Sequence, residues 1–412
     1  MKKDLTLPFD LRTAQRLTEK FGTPVYVYDE EGIRAQSKKL YKAFDWAKGY
    51  RNFFAVKATP TPAILRVLQE EGMGFDCSSR AELLMMDRMR IPGRDIFYTS
   101  NNTPKEDFEL AIKLGATVNI DDFAQIPVFM EALGSKHLGS VAARYNPGGK
   151  HTGNSIIGHP KDAKFGMGVE SLIESFSYLK KCNIQRFGLH AMVASNELNP
   201  RYFEDTVKLI LSEVKEIEER TGIEFSFINL GGGFGLNYKT DQAEFDITTA
   251  AELIRIAVLS AGREDLEIYT ENGRYVTGPH GYLLTKARYI MRKDKTYIGV
   301  DASMHNLMRP GMYGAYHHIT VLGREDEPVT RSYDVVGSLC ENNDKFAIDR
   351  ELPWVQPGDI MVIHDAGAHA HAMGFNYNGM LRSAEVLLNN GEGRRIRKAE
   401  TVDDYFRNLI WE

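Results

Sequence analysis

Short apolar segments alternate with amphipathic stretches through the first two-thirds of the chain. Eight segments rich in β-branched and aromatic residues and bounded by turn residues are predicted to be buried strands: 52–58, 74–79, 96–100, 117–120, 141–146, 187–195, 227–232 and 267–271. Between them lie stretches such as 61–72 and 201–222, with apolar residues at helical spacing and charges on the opposite face. Alternating strands and helices indicate parallel strands, and eight such units in roughly 230 residues favour a (β/α)8 TIM barrel over an open doubly wound sheet.

The pattern changes after about residue 280. Strand-like segments separated by turn residues follow, with little helical periodicity, and 24–29 is a further strand candidate ahead of the barrel. We therefore expect an α/β protein with a barrel domain over 30–280. A β-rich domain, a sandwich or a barrel, would draw on both chain ends, 1–29 and 281–412.

Composition excludes several classes of protein. The net charge of −5, with scattered lysines and arginines, gives no reason to expect nucleic acid, and no run of 18 apolar residues predicts a membrane span. The first residues do not resemble a signal peptide. Three widely spaced cysteines, Cys77, Cys182 and Cys340, predict a reducing cytoplasm and neither disulfides nor a thiolate zinc site. The histidine pairs lack an evident third ligand, so we expect no metal.

One lysine stands out in the segment NFFAVKATP. Lys57 closes a run that reads as a buried strand, although desolvating an ammonium is costly. A lysine whose head simply reaches water is the ordinary explanation. In a TIM barrel, however, the carboxyl ends of the strands carry the active site, which makes Lys57 a candidate amine nucleophile for a carbonyl.

A second signal is the glycine run in NLGGGFG, after the seventh strand. Gly231, Gly232 and Gly233 would let backbone N–H groups approach an anion, although a tight turn is the alternative. The eighth strand ends in ENGR, which supplies Glu271 and Arg274. Loops after strands seven and eight often bind phosphate in these barrels. A lysine, a phosphate cradle and a carboxylate on one rim suggest pyridoxal 5′-phosphate, whose aldehyde, phosphate and ring nitrogen need those three groups.

Several segments also carry a family resemblance that runs nearly end to end. They are FFAVKATPTPAILRVLQEEGMGFDCSSRAEL, GLHAMVASN, GGGFG, ENGR, DASMHNLMRPGMYGAYHH and GSLCENNDKFA. Together they resemble the barrel-type, alanine-racemase-like pyridoxal-phosphate decarboxylases, and most closely the branch that acts on diaminopimelate. The resemblance implies that Lys57 binds the cofactor covalently. It implies a cofactor site that also contains Asp76, Met192, Ser195, Gly231, Gly232, Gly233, Glu271, Arg274 and Tyr377.

The resemblance further implies a substrate site. Arg274, Arg309 and Tyr313 would bind the distal carboxylate of the substrate, and Glu341 its distal ammonium. Cys340 would be the acid that reprotonates the α-carbon. In this family these residues reach the barrel of the partner subunit, so a homodimer with shared active sites is implied.

Three positions depart from the family pattern. Met192 stands where a histidine stacks on the cofactor ring, and methionine can pack on an aromatic face without acting as imidazole does. Asn272 replaces the proline of the family's EPGR motif. His369 replaces a tyrosine that helps bind phosphate, for which Tyr377 is a possible substitute.

The expected reaction is the decarboxylation of meso-2,6-diaminopimelate to L-lysine, the last step of lysine biosynthesis. A substrate whose far end is itself an amino acid needs a cation and an anion together, and Arg309 with Glu341 would supply both. Alternatives are a decarboxylase of ornithine, lysine, arginine or carboxynorspermidine on the same fold, a racemase, and a non-catalytic homologue that binds the cofactor. Arg309 with Tyr313 argues against a substrate tail that lacks a carboxylate.

Overall fold

The computed structural model describes residues 5–151, 158–329 and 331–412. Eight parallel strands close into a barrel, and nine further strands form a mostly antiparallel sheet beside it. The predicted fold class, a TIM barrel with a β-rich C-terminal part, is therefore confirmed.

The strands are β1 (Val25–Asp29), β2 (Arg51–Ala55), β3 (Gly74–Cys77), β4 (Ile96–Thr99), β5 (Thr117–Ile120), β6 (Leu138–Tyr145), β7 (Ile184–Ala191), β8 (Phe225–Asn229), β9 (Glu267–Thr270), β10 (Gly281–Arg292), β11 (Thr296–Val300), β12 (Ile319–Val321), β13 (Arg331–Val336), β14 (Lys345–Leu352), β15 (Ile360–Ile363), β16 (Ala384–Asn389) and β17 (Glu392–Arg397). The α-helices are α1 (Leu11–Phe21), α2 (Glu30–Ala43), α3 (Pro62–Glu70), α4 (Arg80–Met89), α5 (Lys105–Leu114), α6 (Ile126–Leu133), α7 (Val169–Leu179), α8 (Pro200–Thr221), α9 (Ile247–Ser260), α10 (Arg274–Thr277), α11 (Arg309–Tyr313) and α12 (Val402–Phe406).

The barrel runs from β2 to β9 in chain order and closes where β9 pairs with β2. Its interior contains a small apolar cluster made of Phe53, Phe97, Ala142 and Phe227, which come from the alternate strands β2, β4, β6 and β8, together with Tyr269. Such layers from alternate strands fill TIM barrels. Because this layer closes the interior, polar chemistry is confined to the mouth at the carboxyl ends of the strands.

The second sheet joins the two ends of the chain. Strand β1 pairs antiparallel with β10 and parallel with β16, so the segment before the barrel lies in the middle of the sheet that follows it. Strand β15 pairs with both β10 and β12. The order β14-β13-β11-β10-β1-β16-β17 places β14 and β17, which are rich in charged residues, at its two ends, and charges on edge strands limit edge-to-edge association.

Strand ends differ from the sequence expectation in a consistent way. Strand β2 ends at Ala55, and Val56–Ala58 form a 3-10 turn, so Lys57 follows the strand and does not end it. Glu271 likewise follows β9, and Ser195 lies beyond the end of β7. The apolar pattern continues past the strands because loop residues such as Val56 and Val193 are themselves buried.

The second domain also contains elements that the sequence pattern did not predict. Strands β14, β16 and β17 were not predicted, and helix α1 lies in a part expected to be β-rich. Charged residues dominate β14 and β17, which weakens their apolar alternation, whereas α1 begins at a clear N-cap, Asp10, whose carboxylate accepts from the Thr13 amide at 2.8 Å.

A buried carboxylate joins the sheet to the barrel. Glu385 on β16 is 1% exposed and accepts hydrogen bonds from the hydroxyls of Tyr28 (2.7 Å) and Thr61 (2.8 Å). The guanidinium of Arg397 on β17 also donates to it, and His371 Nδ1 lies 3.8 Å away. Burial alone would raise the pKa of Glu385, but His371 and Arg397 hold it below its usual value of 4.5. This carboxylate therefore connects both chain ends to the segment after Lys57.

The described ranges, 5–151, 158–329 and 331–412, contain no helix long and apolar enough to cross a membrane. Within those same residues, no three or more His, Cys, Asp or Glu side chains are grouped so as to hold a metal ion.

We predict that Glu385→Gln lowers the free energy of unfolding by about 2 kcal/mol at neutral pH, because the buried side chain loses the charge that pairs with Arg397 and one oxygen that accepts hydrogen bonds. The ion-pair contribution exists above the carboxyl's unfolded pKa and is lost as pH falls through its lower folded pKa. The difference between wild type and variant should therefore shrink below about pH 4.5. Chemical denaturation of both proteins over a pH series measures this difference in the free energy of unfolding. Glu392→Gln, on the exposed neighbouring strand β17, is the matched control; an equal loss there would contradict the prediction.

Candidate active site

The barrel mouth holds most of the residues that the sequence singled out. A cleft of about 430 Å³ opens at the carboxyl ends of the strands. Among the sequence candidates, its lining includes Lys57, Asp76, Met192, Ser195, Gly232, Gly233, Glu271 and Arg274. Parallel strands bring these residues to one rim, although the first and the last of them, Lys57 and Arg274, are more than 200 positions apart in the chain.

Lys57 extends into this cleft from the 3-10 turn after β2. Its side chain is 55% exposed, and its ammonium lies 3.9 Å from a carboxylate oxygen of Asp76. Asp76 is fully buried on β3, and its Oδ1 has no hydrogen-bond partner among the residues described. Burial, and then the charge of Glu271, raise the pKa of Asp76 well above its usual value, so this carboxyl keeps its proton in preference to its neighbour.

Glu271 holds the negative charge of the mouth. It lies just after β9 and accepts a hydrogen bond from Asn229 Nδ2 at 2.7 Å. Its Oε1 also lies 3.2 Å from Nε2 of the fully buried His190. Burial alone would raise the pKa of Glu271, but His190 and nearby cations hold it below its usual value. The fully buried His190 therefore lies directly against the carboxylate of the site.

The glycine run can adopt its path only without side chains. Gly231 and Gly233 have positive φ angles of 66° and 114°. A Cβ on Gly231 would lie 2.4 Å from the Ala191 carbonyl oxygen, and one on Gly232 would lie 2.7 Å from the Glu271 carbonyl oxygen. The Gly232 amide also lies 3.2 Å from the sulfur of Met192, which accepts its hydrogen bond. The loop is therefore packed tightly against β7 and the Glu271 segment.

Two asparagines, Asn52 and Asn272, fix this loop, although the sequence pattern assigned no role to either of them. Asn272 Oδ1 accepts from the Phe234 amide at 3.0 Å, and the Asn272 amide donates to Asn52 Oδ1 at 2.8 Å. Asn52 Nδ2 donates in return to the Asn272 carbonyl at 3.1 Å. Asn272, where the family motif has proline, thus ties the glycine run to the strand that precedes Lys57. A buried asparagine inside the apolar segment NFFAVKATP was the signal available in the sequence.

His369 closes another wall of the cleft. It has a positive φ of 52°, and its amide donates to the Ala58 carbonyl at 2.9 Å, next to Lys57. Burial, together with the charges of Arg274, Lys57 and Arg309, lowers the pKa of His369 well below its usual value. This histidine is therefore a neutral hydrogen-bonding group at neutral pH. Tyr377, the suggested substitute, is 47% exposed and does not line the cleft of a single chain.

The remaining predicted residues lie on the second sheet's side of the molecule. Arg309 begins α11 and is buried, whereas Tyr313 at its end is 64% exposed. Cys340 and Glu341 are exposed in the loop between β13 and β14. The cleft formed by the described residues of one chain includes none of these four.

The exposed loop is nevertheless rigidly built. The carboxylate of the buried Asp344 accepts from the Leu339 amide (2.8 Å) and the Met304 amide (2.6 Å). Asn343 Nδ2 donates to the Gly311 carbonyl in α11 at 3.2 Å. The Cys340 amide donates to Asn378 Oδ1 at 2.8 Å. Cys340, Glu341 and Tyr313 are therefore presented together on one preformed surface.

Comparison with known proteins identifies the family. The family model described as "Pyridoxal-dependent decarboxylase, pyridoxal binding domain" matches residues 30–278, more than half of the chain. This chain belongs to the pyridoxal-dependent decarboxylases. Protein TabA of Pseudomonas amygdali pv. tabaci is 39% identical over 96% of this chain and 93% of its own length. The diaminopimelate decarboxylase of Methanothermobacter thermautotrophicus is 34% identical, with 96% and 93% covered.

Solved structures give the same result. The crystal structure of diaminopimelate decarboxylase from M. jannaschii in co-complex with L-lysine has a TM-score of 0.88 and 30% identity, over 96% of this chain and 94% of that chain. A lysine/ornithine decarboxylase from Vibrio vulnificus, at 21% identity and a TM-score of 0.79, shares the fold.

The residues of the cleft fit pyridoxal 5′-phosphate, the cofactor of this family. An exposed lysine amine, a buried ionised carboxylate and a glycine loop beside Arg274 supply what an aldehyde, a ring nitrogen and a phosphate require. Two buried polar atoms at the mouth, Asp76 Oδ1 and Asn272 Nδ2, have no partner among the described residues. Such orphaned atoms in a cleft are what a polar ligand satisfies.

We predict that Gly231→Ala weakens cofactor binding about tenfold or more, because the added Cβ meets a backbone carbonyl at a strained φ. Titration of the apoprotein with pyridoxal phosphate, followed by absorbance, measures the Kd. Gly139→Ala is the matched control, since its Cβ meets nothing within 4 Å and its φ is not positive. An unchanged Kd for Gly231→Ala would show that the loop does not hold the cofactor.

Proposed function

We propose that this protein is a pyridoxal-phosphate-dependent decarboxylase that converts meso-2,6-diaminopimelate to L-lysine and CO2 in the cytoplasm. One observation carries the proposal. A cleft with the lysine, carboxylate and glycine loop of a pyridoxal-phosphate site is lined by Arg274, and Arg309 lies behind it across the ring of Tyr238. Neither arginine forms an ion pair with the described residues of this chain. Relatives named diaminopimelate decarboxylase, and a solved structure of one with L-lysine, support the same substrate.

The cofactor, when bound, supplies the electron sink that accepts the electrons left by the departing carboxylate. In this proposal the Lys57 amine would hold the cofactor through its aldehyde. Glu271 would face the ring nitrogen and hold a proton there, and its position between Asn229 and His190 supports that role. The amides of the glycine run, Ser195 and Arg274 would bind the phosphate, with Asp76 and Met192 beside the ring.

The substrate's far end requires groups of both signs. Arg274, Arg309 and Tyr313 would bind its distal carboxylate, and Glu341 its distal ammonium. Cys340 would donate the proton that replaces CO2 on the α-carbon. The exposed thiol of Cys340 can donate this proton only if its loop lies against a cleft that holds the substrate.

We infer that the cleft is completed by a second copy of this chain, in a homodimer with shared active sites. Tyr313, Cys340, Glu341 and Tyr377 form an exposed surface, which we call the Cys340 face. These residues do not line the cleft of their own chain. The Cys340 amide donates to Asn378 and the Leu339 amide donates to the Asp344 carboxylate, and these bonds hold the face in one arrangement. In this proposal the barrel domain spans 30–280, and 1–29 with 281–412 supply the face.

A decarboxylase of another amino acid is a second candidate, favoured by one observation. Met192 contacts Gly232 at the position where the family resemblance places a histidine on the cofactor ring, and His369 replaces a tyrosine on another wall. Both changes alter the cleft that receives the substrate. Assays with ornithine, lysine and arginine beside diaminopimelate separate the two candidates.

Incubation of the purified protein with pyridoxal phosphate and meso-diaminopimelate should release CO2 and L-lysine in equal amounts. We expect Lys57→Ala to lose this activity and the visible absorbance band of the bound cofactor, because its side chain no longer carries an amine. Lys164→Ala, which removes the other lysine that lines the cleft, should keep that band. A band that survives in Lys57→Ala would assign the covalent link to another lysine.

Coexpression of Lys57→Ala and Cys340→Ala chains tests the shared sites. If each site combines Lys57 of one chain with Cys340 of the other, a mixed dimer has one intact site and one site that lacks both residues. A random mixture should then regain about a quarter of wild-type activity, although each variant alone is inactive. Recovery should require both chains in one tagged and purified dimer. No recovery in an isolated mixed dimer would place Cys340 in the site of its own chain.

A further inference from the structure

Tyr238 connects the glycine run to the two arginines. It lies five residues beyond Gly233, in the loop between β8 and α9, and its side chain is buried. Its hydroxyl accepts a hydrogen bond from Arg274 Nη1 at 2.8 Å. The guanidinium of Arg309 lies over the same ring, with its central carbon 4.4 Å from the ring centroid. One phenol therefore fixes two guanidiniums on adjacent sides.

A histidine fixes Arg309 from a second direction. Arg309 Nη1 lies 2.8 Å from Nε2 of the fully buried His317, whose ring also meets Tyr238 edge-on at 5.1 Å between centroids. Guanidinium is only a donor, so His317 Nε2 must present its lone pair. The other ring nitrogen therefore carries the hydrogen and donates to the His364 carbonyl at 2.8 Å. This chain of bonds sets the tautomer of His317 and the direction of Arg309.

These contacts orient the arginines without neutralising them. Among the described residues, neither Arg274 nor Arg309 forms an ion pair within 4 Å, and the charge of Asp365 acts to raise the pKa of Arg309. Burial lowers the pKa of Arg309 below its usual range, and the charge of Arg274 acts in the same direction. Two neighbouring guanidiniums whose hydrogen-bond partners, Tyr238 and His317, are neutral form a site that a bound anion would stabilise.

We propose that Tyr238 and His317 are positioning residues that hold Arg274 and Arg309 as a clamp for the substrate carboxylate remote from the reacting carbon. The inference rests on the proposed function and extends it to two residues that act through the arginines. Tyr238 sets the separation of the two guanidiniums, and His317 prevents Arg309 from turning away. Because the clamp binds a part of the substrate that does not react, its loss should affect KM more than kcat.

Tyr238→Phe removes one oxygen and keeps the ring. We expect it to raise KM for meso-diaminopimelate about tenfold while changing kcat less than about twofold. His317→Phe should give a KM effect at least as large, and His317→Gln, whose amide oxygen can accept from Arg309, should recover part of it. Tyr41→Phe is the matched control, since that hydroxyl also makes a 2.8 Å hydrogen bond, to the carbonyl of Gly72, which precedes β3 at the amino end of the barrel.

Pimelate, the same seven-carbon dicarboxylate without amines, is a probe that needs no turnover. It should raise the melting temperature of the wild-type holoenzyme in a saturable way and raise that of Tyr238→Phe much less. If the wild type does not turn over diaminopimelate but shows this difference, the proposed substrate is wrong and the clamp stands. If turnover is normal and Tyr238→Phe and His317→Phe keep the wild-type KM and pimelate response, the clamp is wrong and the proposed function stands.

Cofactor absorbance and the melting temperature without ligand identify a variant that has failed to fold. If a His317 variant fails to fold, the KM and the pimelate response of Tyr238→Phe, which removes only one oxygen atom, test the clamp.

Discussion

The buried carboxylate of Glu385 is the contact on which the geometry of the barrel mouth depends. It joins Tyr28 before the barrel, Thr61 within it and Arg397 near the end of the chain. Arg397 also donates to the Thr61 hydroxyl at 3.0 Å, so two groups of the second sheet hold the same barrel residue. A buried ionised group tolerates little displacement of its partners, since each lost contact leaves charge uncompensated. The segment that begins at Lys57 is therefore placed by the sheet as much as by the strand before it.

Further bonds extend this control to the residues next to Lys57. The Thr59 hydroxyl donates to the Gly367 carbonyl at 2.7 Å, and the His369 amide donates to the Ala58 carbonyl. A Cβ on Gly367 would lie 1.8 Å from the Thr277 carbonyl oxygen, which shows how closely the two parts of the molecule approach. The barrel supplies the strand ends, and the sheet fixes the loops that follow them. This division explains why one sheet must contain both chain ends.

The sequence predicted the barrel well and its rim less well. Eight apolar segments located all eight barrel strands, because strands buried on both faces give continuous apolar runs. The strand ends were misplaced because loop residues such as Val56 and Val193 are buried and apolar as well. Strands β14 and β17 escaped notice because one of their faces is exposed and charged.

The site shows the same contrast between chain position and three-dimensional contact. Lys57, Glu271 and the glycine run could be predicted because each follows a strand in its own segment. Tyr238 and His317 could not, since their partners lie 36 and 8 residues away and are reached only through the fold. The role of the Cys340 face in the active site was inferred from the family resemblance alone. It stays a proposal, because these residues do not line the cleft of their own chain. Periodicity thus predicts which residues reach the mouth, whereas the contacts that orient them require the structure.

Two of the three departures from the family pattern, Met192 and His369, leave the charge of the cleft unaltered at neutral pH. The thioether of Met192 cannot ionise, and its sulfur accepts the Gly232 amide. His369 could carry a proton, but burial and three surrounding cations lower its pKa far enough to keep it neutral. In the proposed site, selection of an anionic substrate group at that pH would therefore rest on the arginines and not on the charge of these two side chains. Met192 and His369 instead change the shape and hydrogen bonding of the cleft.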